Sequence, residues 1–215
     1  MTQTFIVIDD HESVLEGTLS VLQSQYSDAN IHSATTAKEV LPLIEETQPD
    51  LIVMDLSIPI EDGEQPRIDS GLQLLQSILS AYPELNLVVQ SAHARSLIRL
   101  KPIIESHRAG FTIAEKSLSS KEMLTKVDWA LKGLLYTPPE MRTGLELKPE
   151  WMTLLQLAFV DGITDKAIAQ KMNVSERTVR HYWTRTQDAL AVYPDEGSNI
   201  RIQTYNKARH YGLVE

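Results

Sequence analysis

The stretch Leu51-Ile-Val-Met-Asp55 decides the fold of this chain. Four consecutive apolar residues of this kind are typical of a strand that is buried on both faces, as the strands of a parallel sheet are. Asp55 follows them at the carboxyl end of the strand, where open α/β sheets bind their ligands. Residues 5–8, Phe-Ile-Val-Ile, lead in the same way into Asp9 and Asp10. Three carboxylates delivered to one edge predict an acidic pocket that needs a cation.

Length and composition exclude several classes of protein. The chain has 215 residues, of which 42% are hydrophobic and 23% are charged, and it has no cysteine. This length favours two domains over one. Without cysteine there are no disulfides, thiolate nucleophiles or cysteine-based zinc sites. Because no apolar run is long enough to span a bilayer and no basic segment precedes the first strand, we predict a cytoplasmic protein without a membrane partner.

The negative charge lies in the first two thirds of the chain. Residues 1–144 contain 11 lysines and arginines against 20 aspartates and glutamates, whereas residues 145–215 contain nine of each kind. A neutral C-terminal part can still bind nucleic acid if its cations share one face.

Strand and helix patterns alternate through the N-terminal half. We expect strands at residues 4–9, 30–34, 51–55, 85–89 and 111–114, and helices around residues 14–22, 36–47, 71–81, 96–107 and 119–135. This alternation predicts an α/β fold, a doubly wound five-stranded parallel sheet with right-handed crossovers.

The strand ends carry a set of polar residues in a fixed order. The segments are Ile-Val-Ile-Asp-Asp-His (6–11), Leu-Ile-Val-Met-Asp-Leu-Ser-Ile-Pro (51–59), Val-Val-Gln-Ser-Ala (88–92) and Glu-Lys-Ser (115–117). With these motifs, residues 4–135 resemble the flavodoxin-like receiver domain of two-component response regulators.

The resemblance implies a phosphoacceptor site. Asp55 would take a phosphoryl group from a phosphohistidine of a sensor histidine kinase. A Mg²⁺ ion would be held by Asp10 and Asp55 and by the backbone carbonyl of Ser57, with Asp9 close by or acting through water.

Two further residues complete the implied site. Ser91 would hydrogen-bond the phosphoryl group and Lys116 would pair with it as a point charge. Taken singly, the aspartates at 9 and 10 can cap the following helix, Lys116 can be a solvated lysine and Ser91 a plain strand-end hydroxyl. Taken together, these residues favour the phosphoacceptor.

Three features depart from the receiver pattern. An insertion of about eight residues lies within residues 60–70, where both Glu-Asp-Gly (61–63) and Ile-Asp-Ser-Gly (68–71) match the expected acid–glycine turn. This insertion either tunes kinase choice or dephosphorylation, or is a neutral surface loop. Pro102 falls inside the helix pattern and is expected to kink or shorten that helix. Ile113 stands where the family has its switch aromatic.

The C-terminal part is helical by pattern. Adjacent prolines and a glycine mark residues 136–148 as a linker. Pro149 starts a helix that ends near Gly162, Thr164 caps a second one over residues 165–172, and Ser175 caps a third. Two short helices around a tight turn are the plan of a helix-turn-helix.

Residues 161–181, Asp-Gly-Ile-Thr-Asp-Lys-Ala-Ile-Ala-Gln-Lys-Met-Asn-Val-Ser-Glu-Arg-Thr-Val-Arg-His, resemble the LuxR/GerE-type helix-turn-helix of NarL/FixJ response regulators. The residues implied to contact DNA are Arg180, His181 and Thr184 at base edges and Lys166, Arg177 and Arg185 at phosphates. For a single arginine the alternative is a solvated surface residue. This alternative is favoured for Arg185, whereas for Arg177 it has the same weight as a phosphate contact.

The end of the chain departs from that family. A long loop, residues 191–199, precedes a last helix over residues 200–211, which carries Arg201, Lys207 and Arg209. In the family that this part resembles, the last helix commonly forms the dimer contact, so a homodimer is expected in the active state. The longer loop leaves the geometry of this dimer open. Lys148 replaces the usual capping threonine or serine.

We therefore predict a response regulator that acts as a transcription factor, with a receiver domain (1–135), a linker (136–148) and a DNA-binding domain (149–215). It is not expected to be an enzyme acting on an external metabolite. Two alternatives stay open. One is a phosphorylation-independent DNA binder whose receiver is a dimerisation platform, and the other is a signalling adaptor that binds protein through its helix-turn-helix.

Overall fold

The computed structural model describes residues 2–137, 147–193 and 197–214. The chain divides into two compact units, residues 1–139 and 140–215. Most of the predicted linker, residues 138–146, and part of the predicted 191–199 loop lie outside the described residues. Within the described ranges, no helix has the length and apolar character to cross a membrane.

The N-terminal unit is built on a parallel sheet, which has six strands among the described residues, in the order β2-β1-β3-β4-β5-β6. The strands are β1 (Thr4–Ile8), β2 (Asn30–Ala34), β3 (Leu51–Met54), β4 (Asn86–Gln90), β5 (Phe111–Ala114) and β6 (Leu135–Tyr136). The winding direction reverses between β1 and β3, and this switch point is where doubly wound sheets bind ligands. The predicted α/β fold is confirmed, with one short strand more than expected.

The central strands form the core because their residues are apolar. All four residues of β3 are at most 1% exposed, as are Phe5, Ile6 and Ile8 of β1. Helices cover both faces: α1 (Glu12–Gln25), α2 (Ala37–Thr47), α3 (Ile68–Ala81) and α5 (Ser120–Leu131). Ser119 caps α5 in a reciprocal arrangement, because its backbone N–H donates to the Glu122 carboxylate at 3.0 Å and its hydroxyl accepts from the Glu122 N–H.

The last helix of this unit ends earlier than predicted. Helix α5 stops at Leu131, and Gly133 follows with a φ of +74°. A positive φ favours glycine and ends a helix. The chain then turns back as β6, where Tyr136 pairs with Thr112 of β5. The prediction of a helix to residue 135 was wrong, because Gly133 is a stop signal.

The segment after β4 is not one long helix. A 3₁₀ helix, Ala94–Leu100, is followed by the short helix α4, Lys101–Glu105. Pro102 lies in the first turn of α4, where its missing N–H leaves no hydrogen bond unmade. The predicted helix over residues 96–107 was therefore wrong in its form, although proline does shorten the helix as expected.

The insertion after β3 is tied to α2. Ala37 donates its N–H to the Pro59 carbonyl at 2.9 Å, and Lys38 donates its N–H to the Ile60 carbonyl at 3.1 Å. The Lys38 ammonium also lies 2.8 Å from a Glu61 carboxylate oxygen. Two loop carbonyls therefore satisfy two of the free N–H groups at the start of α2.

Of the two candidate acid–glycine turns, the second one starts the helix. Helix α3 begins at Ile68, and a Cβ added to Gly71 would lie 1.9 Å from the carbonyl oxygen of Leu56. Only glycine permits so close a backbone approach. Gly63, in the first candidate, has a φ of +83° in an exposed turn.

The C-terminal unit is helical. Its elements are α6 (Pro149–Leu155) with a π-helical turn (Gln156–Val160), α7 (Asp165–Lys171), α8 (Glu176–Ala189) and α9 (Ile200–His210). The Thr164 hydroxyl caps α7 and the Ser175 hydroxyl caps α8, as predicted, whereas Lys148 before α6 makes no side-chain cap bond. Asn173, with a φ of +54°, makes the tight turn between α7 and α8.

Candidate functional site

Two aspartates emerge side by side at the switch point. Ile8 of β1 pairs with Met54 of β3, so the next residue on each strand, Asp9 and Asp55, leaves the sheet at the same level. Both are buried, at 4% and 3% exposure. Lys116, two residues beyond β5, reaches both, with its Nζ 2.7 Å from Asp9 Oδ2 and 2.8 Å from Asp55 Oδ2. The two carboxylates therefore converge on one cation position.

The lysine is held in its charged form. Burial alone lowers the pKa of the Lys116 ammonium, but its hydrogen bonds to Asp55 and Asp9 and the charges of these carboxylates outweigh that effect. The pKa of Lys116 therefore lies above its ordinary value of 10.5. Lys116 thus carries its positive charge at neutral pH.

The second aspartate of the pair faces a histidine. His11 Nδ1 lies 2.8 Å from Asp10 Oδ1, and the His11 backbone N–H donates to Asp9 Oδ1 at 2.9 Å. Possible ligand atoms of these three residues all lie within 4.8 Å of one another. His11 is itself the N-cap of α1, without a side-chain cap bond, and Asp9 accepts its backbone N–H, so Asp9 contributes both to the start of α1 and to the pocket. His11 is not among the predicted site residues, although the motif Asp-Asp-His contains it.

The phosphoacceptor candidate is fixed by its neighbour. The Leu56 N–H donates to Asp55 Oδ1 at 2.7 Å, so one oxygen faces an amide and the other faces Lys116. Ser57, two residues further on, is half-buried. A charge-assisted bond to a backbone amide restricts the rotation of the carboxylate.

Ser91 lies at the end of the neighbouring strand. It follows β4, which pairs with β3 on one side and β5 on the other, and it is fully buried. Its hydroxyl oxygen accepts from the His93 N–H at 3.2 Å. Because the oxygen acts as an acceptor there, the hydroxyl hydrogen is still available to donate.

The donor set fits a divalent cation. Carboxylate oxygens are the ligands that Mg²⁺ prefers. Asp9 and Asp55 both contact the ammonium of Lys116, and Asp10 lies next to Asp9 in a group of possible ligand atoms. The family resemblance implies Asp10 and Asp55 as the main ligands, whereas in the structure Lys116 bridges Asp9 and Asp55, and Asp10 contacts His11. The individual metal roles, including that of the Ser57 carbonyl, stay predictions.

The C-terminal unit has a second candidate surface on α8. Its inner face is formed by Val179, Trp183 and Thr186, which are all buried. The residues predicted to contact DNA are all exposed: Lys166, Arg177, Arg180, His181, Thr184 and Arg185. Their contact with DNA stays a prediction. Arg201 of α9, in contrast, is bonded to Asp165 of α7 at 2.7 Å.

Comparisons with known proteins agree with both halves of the chain. Residues 5–128 match the response regulator receiver domain family. The transcriptional regulatory protein YdfI of Bacillus subtilis is 26% identical, over 97% of this chain and 96% of that protein. The DNA-binding transcriptional activator DevR/DosR of Mycobacterium tuberculosis is also 26% identical, over 86% of each.

Solved structures show the same fold. The response regulator RcsB in complex with DNA matches with a TM-score of 0.61 at 21% identity, over 97% of this chain and 98% of that one. RcsB from Salmonella typhimurium matches with a TM-score of 0.63, over 97% and 100%. The resemblance drawn from the strand-end motifs is confirmed, because the receiver family matches more than half of the sequence. The chain therefore belongs to the response regulator receiver family.

Proposed function

We propose that this protein is a cytoplasmic two-component response regulator of the NarL/FixJ type. Its receiver, residues 1–135, takes a phosphoryl group from a sensor histidine kinase, and a linker, residues 136–148, joins it to a DNA-binding domain, residues 149–215. The observation that carries the proposal is the double contact of Lys116 with Asp9 and Asp55 at the switch point of the sheet. Relatives that match both halves of the chain are named as transcription regulators, which supports the output function.

Asp55 is the proposed nucleophile. A carboxylate oxygen of Asp55 attacks the phosphorus of the phosphohistidine, a P–O bond forms, and the P–N bond breaks with its electron pair returning to the imidazole. The Leu56 N–H, 2.7 Å from Asp55 Oδ1, holds the carboxylate in one orientation. Such positioning lowers the entropic part of the barrier.

The surrounding residues deal with the charge of the phosphoryl group. A Mg²⁺ ion bound by the aspartates would supply positive charge beside the phosphoryl oxygens. Lys116 pairs with the phosphoryl group in exchange for its present contact with Asp55 Oδ2. Ser91 donates its hydroxyl hydrogen to a phosphoryl oxygen while its oxygen keeps the bond from His93 N–H.

The proposed DNA-binding element is α7–turn–α8. Helix α8 enters the major groove, with Arg180, His181 and Thr184 at base edges, while Lys166, Arg177 and Arg185 contact phosphates. Support comes from the exposure of these six side chains and from the caps that set the starts of both helices. A homodimer would place two such helices on a double-stranded operator.

The phosphorylation step is tested with acetyl phosphate and Mg²⁺. We expect intact-protein mass spectrometry to show one added phosphoryl group on the wild type and none on Asp55→Ala. Asp62→Ala is the matched control, because Asp62 is an exposed carboxylate on the neighbouring insertion and should label normally. Label retained in Asp55→Ala, or lost equally in Asp62→Ala, would show that the acceptor lies elsewhere.

The DNA-binding step is tested on duplexes selected by the phosphorylated protein from a random pool. The affinity should fall steeply with salt, and Arg177→Gln should reduce the log–log slope by about one unit because one phosphate contact is lost. Arg180→Gln should instead alter the selected sequence. Equal affinity with and without phosphorylation would favour the phosphorylation-independent DNA binder. Failure to select any sequence would favour the protein-binding adaptor.

A further inference from the structure

Three residues from three helices meet inside the C-terminal unit. Asp165 opens α7, Trp183 lies on the inner face of α8, and Arg201 lies in the first turn of α9. The Trp183 Nε1–H donates to Asp165 Oδ1 at 3.1 Å, and an Arg201 guanidinium nitrogen donates to Asp165 Oδ2 at 2.7 Å. The Arg201 guanidinium carbon also lies 3.5 Å from the centre of the Trp183 ring. Each pair in this triangle is therefore in direct contact.

The contacts of Trp183 leave its ring little freedom. Its side chain is 3% exposed, and Phe159 packs against it with the ring centres 5.5 Å apart. A buried indole N–H needs an acceptor, and Asp165 supplies one. Arg201 stacks on the ring while its guanidinium pairs with a carboxylate, an arrangement that a flat guanidinium permits and an ammonium does not.

We propose that Asp165, Trp183 and Arg201 form a clamp that sets the rotation of α8 about its own axis, with Asp165 as the positioning residue. This proposal rests on the DNA-binding function proposed above. Through Arg201 the clamp also joins α9 to α8, so the position of α9 is coupled to the face of α8 that meets DNA. Arg201, which composition alone would count among the DNA-binding cations, is a structural residue here.

The geometry of a helix explains why such a clamp matters. Trp183 is on the inner face of α8, and its neighbour Thr184 is on the exposed face with Arg180. Side-chain ends lie about 5–6 Å from the helix axis, so a rotation of about 20° moves them by about 2 Å. Hydrogen bonds to base edges do not tolerate this displacement, whereas contacts of long flexible cations with phosphates do. Loss of the clamp should therefore weaken specific binding and spare non-specific binding.

The chain offers a matched control. Asp161 pairs with Lys171 at 2.9 Å, and the side chains of Asp161 and Asp165 are each 35% exposed. Asp161→Ala and Asp165→Ala remove the same charge from the same unit, so their effects on non-specific electrostatic binding should be alike. Within the described part of the chain, Asp161 is bonded to Lys171, whereas Trp183 and Arg201 are bonded to Asp165. Arg201→Gln serves as a second test variant that leaves the Asp165–Trp183 bond in place.

The affinity of the full chain is measured for a duplex selected by the wild type and for a scrambled duplex of equal composition. We expect Asp165→Ala and Arg201→Gln to lose about tenfold or more on the selected duplex. On the scrambled duplex Asp165→Ala should match Asp161→Ala. The double variant should lose little more than either single one, because the clamp acts as a unit. Equal losses on both duplexes, or Asp165→Ala behaving as Asp161→Ala on both, would overturn the proposal.

Amide hydrogen exchange separates failure of the clamp from failure of the proposed function. We expect faster exchange in α8 and α9 of Asp165→Ala and Arg201→Gln than in Asp161→Ala, a result that needs no DNA. If the wild type selects no DNA sequence but amide exchange follows this pattern, the clamp is supported and the proposed DNA-binding function is refuted. If exchange in α8 and α9 is the same in all variants, the clamp is wrong whatever the DNA results are.

Discussion

Replacing Gly71 with alanine should lower the stability of the protein and disturb Asp55, the proposed phosphoacceptor. The added Cβ would lie 1.9 Å from the Leu56 carbonyl oxygen, whereas Cβ atoms essentially never lie closer than 3.0 Å to such a neighbour. The clash is with backbone, so no side-chain rotation relieves it, and either α3 or the Leu56 peptide must move by more than 1 Å. Gly17 in α1 is the matched control, since a Cβ there meets nothing within 4 Å.

The two substitutions should change the free energy of unfolding in opposite directions. Alanine is about 1 kcal/mol better than glycine within a helix, so Gly17→Ala should raise the free energy of unfolding by about that amount. At Gly71 the same gain is outweighed by overpacking, which costs about 3 kcal/mol in a tightly packed site. The unfolding temperature should therefore rise by about 3 °C in Gly17→Ala and fall by about 6 °C or more in Gly71→Ala.

The displacement also reaches the chemistry. The Leu56 N–H is bonded to Asp55 Oδ1 at 2.7 Å, so a moved Leu56 peptide turns the carboxylate. Folded Gly71→Ala, kept well below its unfolding temperature, should label more slowly with acetyl phosphate than Gly17→Ala. Thermal unfolding followed by circular dichroism gives the stabilities, and mass spectrometry gives the labelling rate. If Gly71→Ala is as stable as Gly17→Ala and labels as fast, the close contact between α3 and Leu56 is not real.

Three further outcomes are expected. Lys116→Met leaves two buried carboxylates without a cation, so the unfolding temperature should fall, and added Mg²⁺ should raise it more than in the wild type. His107 has a pKa below 6.5 because it is buried, although its bond to the Leu85 carbonyl opposes the shift. The unfolded chain therefore takes up the proton first, and stability to urea should fall as the pH drops below 6.5, less so in His107→Gln. Thr186→Val should stabilise the protein by about 1 kcal/mol in thermal unfolding, since the buried Thr186 hydroxyl has no hydrogen-bond partner among the described residues.

The site could be predicted from the sequence because its residues follow apolar runs. A buried strand tolerates a carboxylate only at its end, so Asp9 and Asp55 had to lie at the sheet edge once β1 and β3 were recognised. The apolar runs do not determine the register in which neighbouring strands pair. That Ile8 pairs with Met54, and hence that Asp9 and not Asp10 leaves the sheet at the level of Asp55, depends on the sheet as a whole.

The differences between the predicted and the observed helices have local causes. Gly133 ends α5 and lets residues 135–136 pair with β5, and a glycine after a run of helix formers is a stop signal that pattern matching by apolar spacing overlooks. The apolar spacing continues through Pro102 and therefore predicts one helix. In the structure the backbone changes from a 3₁₀ helix to an α-helix between Leu100 and Lys101. Apolar spacing records which residues are buried and not the type of helix that buries them.

The net charge of the C-terminal part is a poor guide to its partner. The neutral balance of residues 145–215 kept the protein-binding adaptor open, because composition counts every acid against every base. Two of those acids are bound to cations of their own unit, Asp161 to Lys171 and Asp165 to Arg201. Residues 177–185, the middle of α8, contain three arginines and a histidine and no acid. A phosphate backbone is attracted by the local field of such a face and not by the sum over the domain. The net charge of the domain is therefore no argument for an adaptor by itself, and the cluster of cations on α8 supports the proposed DNA binding.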